Sequence, residues 1–246
     1  MMRKRKTAGF LLGLLLVLGT SVATEAVAPE QFKFILKWSQ DKKLCPAITQ
    51  VLSDEYNDHW IQDPPVHEWF VKWESIRSLD EKFRDGPEFN DDHCSLYLWA
   101  QFDIDNDGQA ELVVKWSACL GGIRSDHLYI FRNQEPPTGI YESLMNKSPL
   151  ADSPQAKANQ ERLLGQISYT GQWYELKKLP PFKNKFGRKE LHGIGGKVWM
   201  HPFKFGGQTY LNLHGLSGMH VIARYKRSEK LSPQLEDICY VDRRKL

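Results

Sequence analysis

Ser95-Leu96-Tyr97-Leu98-Trp99-Ala100-Gln101-Phe102 runs into Asp103-Ile104-Asp105-Asn106-Asp107-Gly108-Gln109-Ala110, and Glu111-Leu112-Val113-Val114-Lys115-Trp116 follows. The two outer segments are aromatic and β-branched, a composition that suits a pleated, half-buried strand. Asn106-Asp107-Gly108 between them is turn chemistry. The whole therefore reads as a β-hairpin with an unusual tip. Asp103, Asp105, Asp107 and Glu111 stand at loop positions 1, 3, 5 and 9, four carboxylates in nine residues. Gly108 at position 6 permits a sharp bend, and Gln109 at position 7 offers a backbone carbonyl. Ca²⁺ takes six to eight oxygen ligands in flexible geometry, which this spacing can supply. Without a cation the carboxylates repel one another. Asp103, Asp105, Asp107, Gln109 and Glu111 are thus the candidate ligands of a structural Ca²⁺. A plain solvated turn is the simpler alternative, but it requires no acids at 103 and 111.

An EF-hand loop needs a bidentate Glu at position 12 and a helix on each side. Position 12 here is Val114, and the flanks read as strands. The D-x-D-x-D-G-x-x-[DE] pattern between two strands resembles the calcium loop of FG-GAP and VCBS-type repeats of integrin-like propellers. That resemblance implies the loop and its ion, not the fold, because a propeller repeats the motif at a fixed period and here it occurs once. As a whole the chain resembles bacterial exported proteins that carry a single D-x-D-x-D-G hairpin.

Export is the other legible feature. Arg3, Lys4, Arg5 and Lys6 form a positive start, Ala8 to Gly19 a short apolar run, and Ser21-Val22-Ala23 a set of small residues at the expected cleavage position. Residues 1–23 are read as a signal peptide, and 24–246 as one mature domain in the periplasm or outside the cell. The apolar run falls short of the ~20 residues that a membrane helix needs. The signal also accounts for the net charge of +3; without its four cations, 29 Lys and Arg face 30 Asp and Glu. A nucleic-acid partner is therefore not expected. The remaining charge is polarised. From Thr24 to Thr170 there are 14 basic and 24 acidic residues, and from Gly171 onward 15 and 6. Two mutually attracting halves explain this. So does a basic face turned to an anionic cell-envelope partner.

Four cysteines in an exported chain suggest two disulfides, and three pairings are possible. Cys94 and Cys119 lie almost equally far from the hairpin tip, so a cross-strand bond is attractive. A register that pairs Leu98 with Trp116 and Ala100 with Val114 opposes it, since that register puts the two cysteines on opposite faces. Cys94–Cys119 with Cys45–Cys239 is the expected set.

Elsewhere, Phe32, Ile35 and Leu36, then Ala47, Val51 and Leu52, recur at helical spacing, with Pro46 suited to a first turn. Val66 to Arg84 and Ala156 to Ile167 also read as helices. Tyr169 to Leu179 is a candidate strand, Pro180 to Gly196 a solvated loop, and Lys197 to Lys226 a meander turning at Gly206-Gly207 and at Gly215 to Gly218. Ile238 to Val241 ends the series. Helices first and strands later predict an α+β fold with a largely antiparallel sheet. No G-x-S-x-G, phosphate loop, dinucleotide fingerprint or H-E-x-x-H occurs. The expected function is an exported binding or structural module. Two alternatives stand beside it. One is a periplasmic hydrolase of cell-wall or polysaccharide substrates, using acids such as Asp91-Asp92 or the histidines His192, His201, His214 and His220. The other is a membrane-surface factor using the basic C-terminal half.

Overall fold

A computed structural model describes residues 32–55, 66–75, 96–120, 123–132, 161–169, 171–228 and 234–245. Strand β1 (Phe32–Ser39) leads to helix α1 (Leu44–Glu55), followed by β2 (Glu74–Ser75), β3 (Leu96–Phe102), β4 (Glu111–Leu120), β5 (Ile123–Phe131) and β6 (Leu163–Ser168). Four short strands come next: β7 (Trp173–Glu175), β8 (Phe182–Lys183), β9 (Lys189–Glu190) and β10 (Gly193–Gly195). The chain ends in β11 (Val198–Phe205), β12 (Gln208–Gly215), β13 (Met219–Lys226) and β14 (Gln234–Lys245). The fold is mostly β, which corrects the α+β expectation; α1 is the one α-helix named among the described residues.

Two five-stranded antiparallel sheets dominate. The hairpin sheet has the order β2-β3-β4-β5-β6, and the C-terminal sheet the order β1-β14-β13-β12-β11. Strand side chains alternate between faces, and both sheets turn one apolar face to a shared core. Ala100, Phe102, Val113, Leu128, Ile130 and Ile167 come from the hairpin sheet, and Met200, Leu211, Leu213, Val221, Ala223 and Tyr240 from the C-terminal one. The far face of the C-terminal sheet is covered by α1. Leu44, Ile48 and Leu52 pack there with Phe34, Phe203, Ile222 and Val241. The carboxylate of Asp41 caps the helix by accepting from Lys43 N at 2.8 Å and Leu44 N at 2.9 Å, as N-cap residues do.

Two expected helices are absent where the structure describes them, and the third, Ala156 to Ile167, is helical only at Glu161 among its described residues. Phe32–Ser39 is a strand paired with β14, and a register shift between Leu36 and Trp38 interrupts the pairing. Phe34 then faces α1 while Trp38 packs against the inter-sheet core. Within 66–75, Phe70 bridges Phe203 and Glu74–Ser75 joins β3; the remainder of 66–84 lies outside the described residues. Leu163–Ser168 is a strand paired with β5. In each case an apolar cluster compatible with either period was captured by a strand partner distant in sequence.

β11 is an edge strand, and an open edge exposes unpaired N–H and C=O groups. The hairpin sheet closes part of this edge with side chains. Asp126 accepts from Met200 N at 2.8 Å, Lys115 donates to Met200 O at 3.2 Å, and Ser125 Oγ lies 3.2 Å from Val198 N. Lys115 and Asp126 also pair with each other at 2.7 Å, their side chains only 6% and 1% exposed, and Ser117 donates to Asp126 at 2.6 Å. Further along, Val71 N donates to Pro202 O at 2.9 Å and Lys204 N to Trp69 O at 2.8 Å. Pro202 fits here because an edge position can dispense with an N–H.

Cys45 of α1 and Cys239 of β14 form a disulfide with a sequence separation of 194. It joins the helix to the sheet it covers. Cys94 lies outside the described residues, as does the side chain of Cys119. The β3–β4 register pairs Leu98 with Lys115 and Ala100 with Val113, one residue away from the register expected from sequence.

Two outcomes follow. Replacing both Cys45 and Cys239 by Ser should lower unfolding free energy by about 5 kcal/mol, the loop-closure value for so long a loop; denaturant titration measures it, and non-reducing peptide mapping should recover the 45–239 pair. Lys115→Met should cost about 3–5 kcal/mol, because it strands a buried Asp126 charge. A change below about 1 kcal/mol would show that the pair is not holding the edge.

Candidate metal centre

The tip of the β3–β4 hairpin is fastened to the C-terminal sheet at two points and braced within itself at a third. Ile104 is an apolar residue within an acidic loop, and it is buried in the inter-sheet core. Asn106 has a φ of 62°, a left-handed conformation that Asn tolerates better than most residues. Its side chain grips the backbone of Thr209 in β12, with Oδ1 accepting from Thr209 N at 2.6 Å and Nδ2 donating to Thr209 O at 3.1 Å. Glu111, at the root of β4, accepts from Ile104 N at 3.1 Å and is buried.

This anchoring gathers part of the predicted ligand set. Oxygens of Asp103, Asp105 and Glu111 all lie within 4.8 Å of one another, so the triad could hold a metal ion. Asp103 is oriented by the loop backbone, accepting from Asp107 N at 3.0 Å and Gly108 N at 2.9 Å. Gly108 has a φ of 90°, which only glycine adopts freely. Asp107 and Gln109 stand outside the triad, and both are exposed. Asp107 accepts from Gln109 N at 2.8 Å.

Sequence reading missed the resident counter-ion. Arg227, just past β13, reaches Asp105 at 2.7 Å, Glu111 at 3.2 Å and Asp107 at 3.4 Å. It lies 116 residues from Glu111, so no local pattern could reveal it. One guanidinium against four carboxylates leaves a negative excess. Burial, above all, pushes the Asp105 and Glu111 carboxyls up, Glu111 to about 7, while Arg227 and backbone donors pull the other way. A hard divalent cation would favour the ionised forms of an all-oxygen set.

The C-terminal histidines form a second cluster, of a different kind. His214 and His220 are partners across β12 and β13, with ring centroids 4.7 Å apart, and His201 stacks on His214 at 5.2 Å. His201 Nε2 and His214 Nε2 are 3.1 Å apart, one donating to the other. His220 Nδ1 donates to Asn212 Oδ1 at 3.0 Å. Phe34 lies edge-on to His220 and Trp199 stacks on His214. All three rings are buried, out of reach of any substrate. Burial holds all three well below the ordinary imidazole range, His220 at about 3. His192 stands apart, tilted against Phe182 at 4.6 Å. Asp91-Asp92 lies outside the described residues.

No family model, curated protein or solved structure matches this chain.

The histidine stack has a pH signature. Unfolded histidines titrate near ~6.5, so below that value the unfolded chain takes up protons that the folded stack refuses. Stability from the neutral stack is complete above about 6.5 and is lost as pH falls toward about 3. Melting temperature should therefore drop through this window, and His201→Leu should flatten the drop. Identical pH slopes for the variant and the unaltered chain would count against a neutral buried stack.

Proposed function

We propose that this chain is an exported, non-catalytic binding or structural module whose hairpin loop carries Ca²⁺ as a structural ion. The observation that carries the reading is the convergence of Asp103, Asp105 and buried Glu111 oxygens within 4.8 Å, on a loop already fixed to the opposite sheet. Oxygen-only ligands favour Ca²⁺ or Mg²⁺ over transition metals, and several carboxylates on one loop suit the larger, more variable coordination shell of Ca²⁺. An ion there would join the hairpin tip to the root of β4, beside the Asn106 clamp. It would stiffen the junction of the two sheets.

Export is supported by the basic-then-apolar start of the sequence and by the Cys45–Cys239 bond, which indicates a compartment other than the cytosol. No described helix is long and apolar enough to cross a membrane. The hydrolase alternative loses three of its four imidazole candidates, since His201, His214 and His220 are sealed inside the fold, while His192 is half-buried.

Extracellular modules bind Ca²⁺ with Kd of ~0.1–1 mM, so about 1 mM ion should raise stability by roughly 0.4–1.4 kcal/mol. Thermal melting of the chain in Ca²⁺ and then in chelator should show that shift, and Asp105→Ala should abolish it. Arg227→Ala should tighten Ca²⁺ binding by removing the competing cation. The reading is lost if neither calorimetry nor melting detects Ca²⁺ at several times the expected Kd, or if Asp105→Ala responds like the unaltered chain.

A further inference from the structure

From Lys177 to Lys197 the chain carries seven Lys or Arg and one acid, Glu190. Its outermost part is the β8–β9 hairpin, in which Lys183 is paired directly with Lys189 and Phe182 with Glu190. Like charges directly opposite each other destabilise a strand pair. Lys185 and Arg188 add two more cations at the turn. None of these four forms an ion pair with a described residue. The turn itself is well built. Asn184 N donates to Arg188 O at 2.9 Å, while Asn184 Oδ1 accepts from Phe186 N at 2.9 Å and Arg188 N at 3.0 Å. Gly187 closes it with a φ of 75°. The result holds Phe186 outward at the tip, 73% exposed, with Lys185 Nζ 5.0 Å from its ring centroid.

The apolar exposure continues beyond the tip. Phe182, Leu191 and Trp173 line one open cleft of about 420 Å³. Trp173 is 61% exposed and yet held in place, because its indole lies on the backbone of β10. A Cβ at Gly193 would sit 2.4 Å from the indole, and one at Gly195 2.9 Å from it. A fixed tryptophan and an outward phenylalanine beside unpaired cations lack a reason within the fold.

We propose that the β8–β9 hairpin, with Trp173 beside it, docks the protein on an anionic phospholipid surface. Lys183, Lys185, Arg188 and Lys189 face the phosphates, Phe186 enters the acyl boundary, and Trp173 sits at headgroup level, where aromatic rings of mixed character are favoured. An acidic glycan would satisfy the cations equally well. It would leave the phenyl ring at the tip with no hydrocarbon to enter, which is why lipid is favoured. No residue of the 103–111 loop takes part, so the docking is tested in chelator and stands or falls independently of the Ca²⁺ site.

The test is flotation of the full chain with phosphatidylcholine vesicles, with and without phosphatidylglycerol, at low and high salt. Residues 1–23 are common to every variant, so differences between variants report the hairpin. Phosphatidylglycerol should increase partitioning, and salt should reverse the increase. Lys183→Glu with Lys189→Glu should lower partitioning at least tenfold, and Phe186→Ser roughly tenfold. Unaltered far-UV circular dichroism and melting confirm that each variant is folded. If the first pair misfolds, Lys185→Glu with Arg188→Glu replaces it. Equal binding to both vesicle types overturns the proposal, as does full binding by a folded charge-reversed variant. So does a Phe186→Ser chain that binds vesicles unchanged while heparin captures both forms, an outcome that would make the hairpin a reader of acidic polymers.

Discussion

The free edge of β11 is the constraint that the two-sheet arrangement has to satisfy. An edge strand left bare offers a row of backbone groups to any other chain. In this molecule the opposite sheet satisfies part of that row, through a buried lysine and aspartate that bond to the C=O and the N–H of Met200. Burying two charges costs several kcal/mol per ion unless each is paired and hydrogen-bonded. Asp126 meets that condition with Lys115, Ser117 and Met200 N as donors. The polar contact thus fixes how β4 and β5 meet β11, a register that the apolar side chains of the shared core would leave less sharply defined.

The acidic loop solves a related problem at another junction. Ile104 is buried in the core, Asn106 grips β12, and Arg227 arrives from beyond β13 to balance charge. Its carboxylates are therefore part of a joint between sheets, with or without a divalent ion. This explains why a hairpin tip, usually the most tolerant part of a strand pair, is so constrained in composition here. It also explains why Glu111, which begins β4, is buried although it is charged.

Against this economy the β8–β9 hairpin stands out. Lys183 faces Lys189 and Phe186 faces water, both contrary to what stability alone would select. Two local rules broken within eight residues, on a turn otherwise well formed, point to a purpose outside the fold. The charge polarity seen along the sequence therefore has a specific address: part of the basic half is concentrated in one protruding element.

By itself the sequence determined what depends on neighbours in the chain. The meander from β11 to β13 was legible because Gly206 and Gly207 supply two successive positive φ angles and alternating apolar residues flank them. The start of α1 was legible from Pro46 and from the spacing of Val51 and Leu52, and the hairpin from its aromatic strands and Asn-Asp-Gly tip. The carboxylate cluster followed from its alternate spacing. Tertiary structure alone decided the rest. Phe32–Ser39 could serve either period until β14 lay beside it. The β3–β4 register differed by one residue from the apolar match, because Lys115 points into the core to meet Asp126. Arg227, the histidine stack and the capping of Met200 join residues that are far apart in the chain or buried only by the packed sheets. Local pattern records conformational preference over a few residues, whereas burial and charge pairing are settled by whatever the folded chain brings alongside.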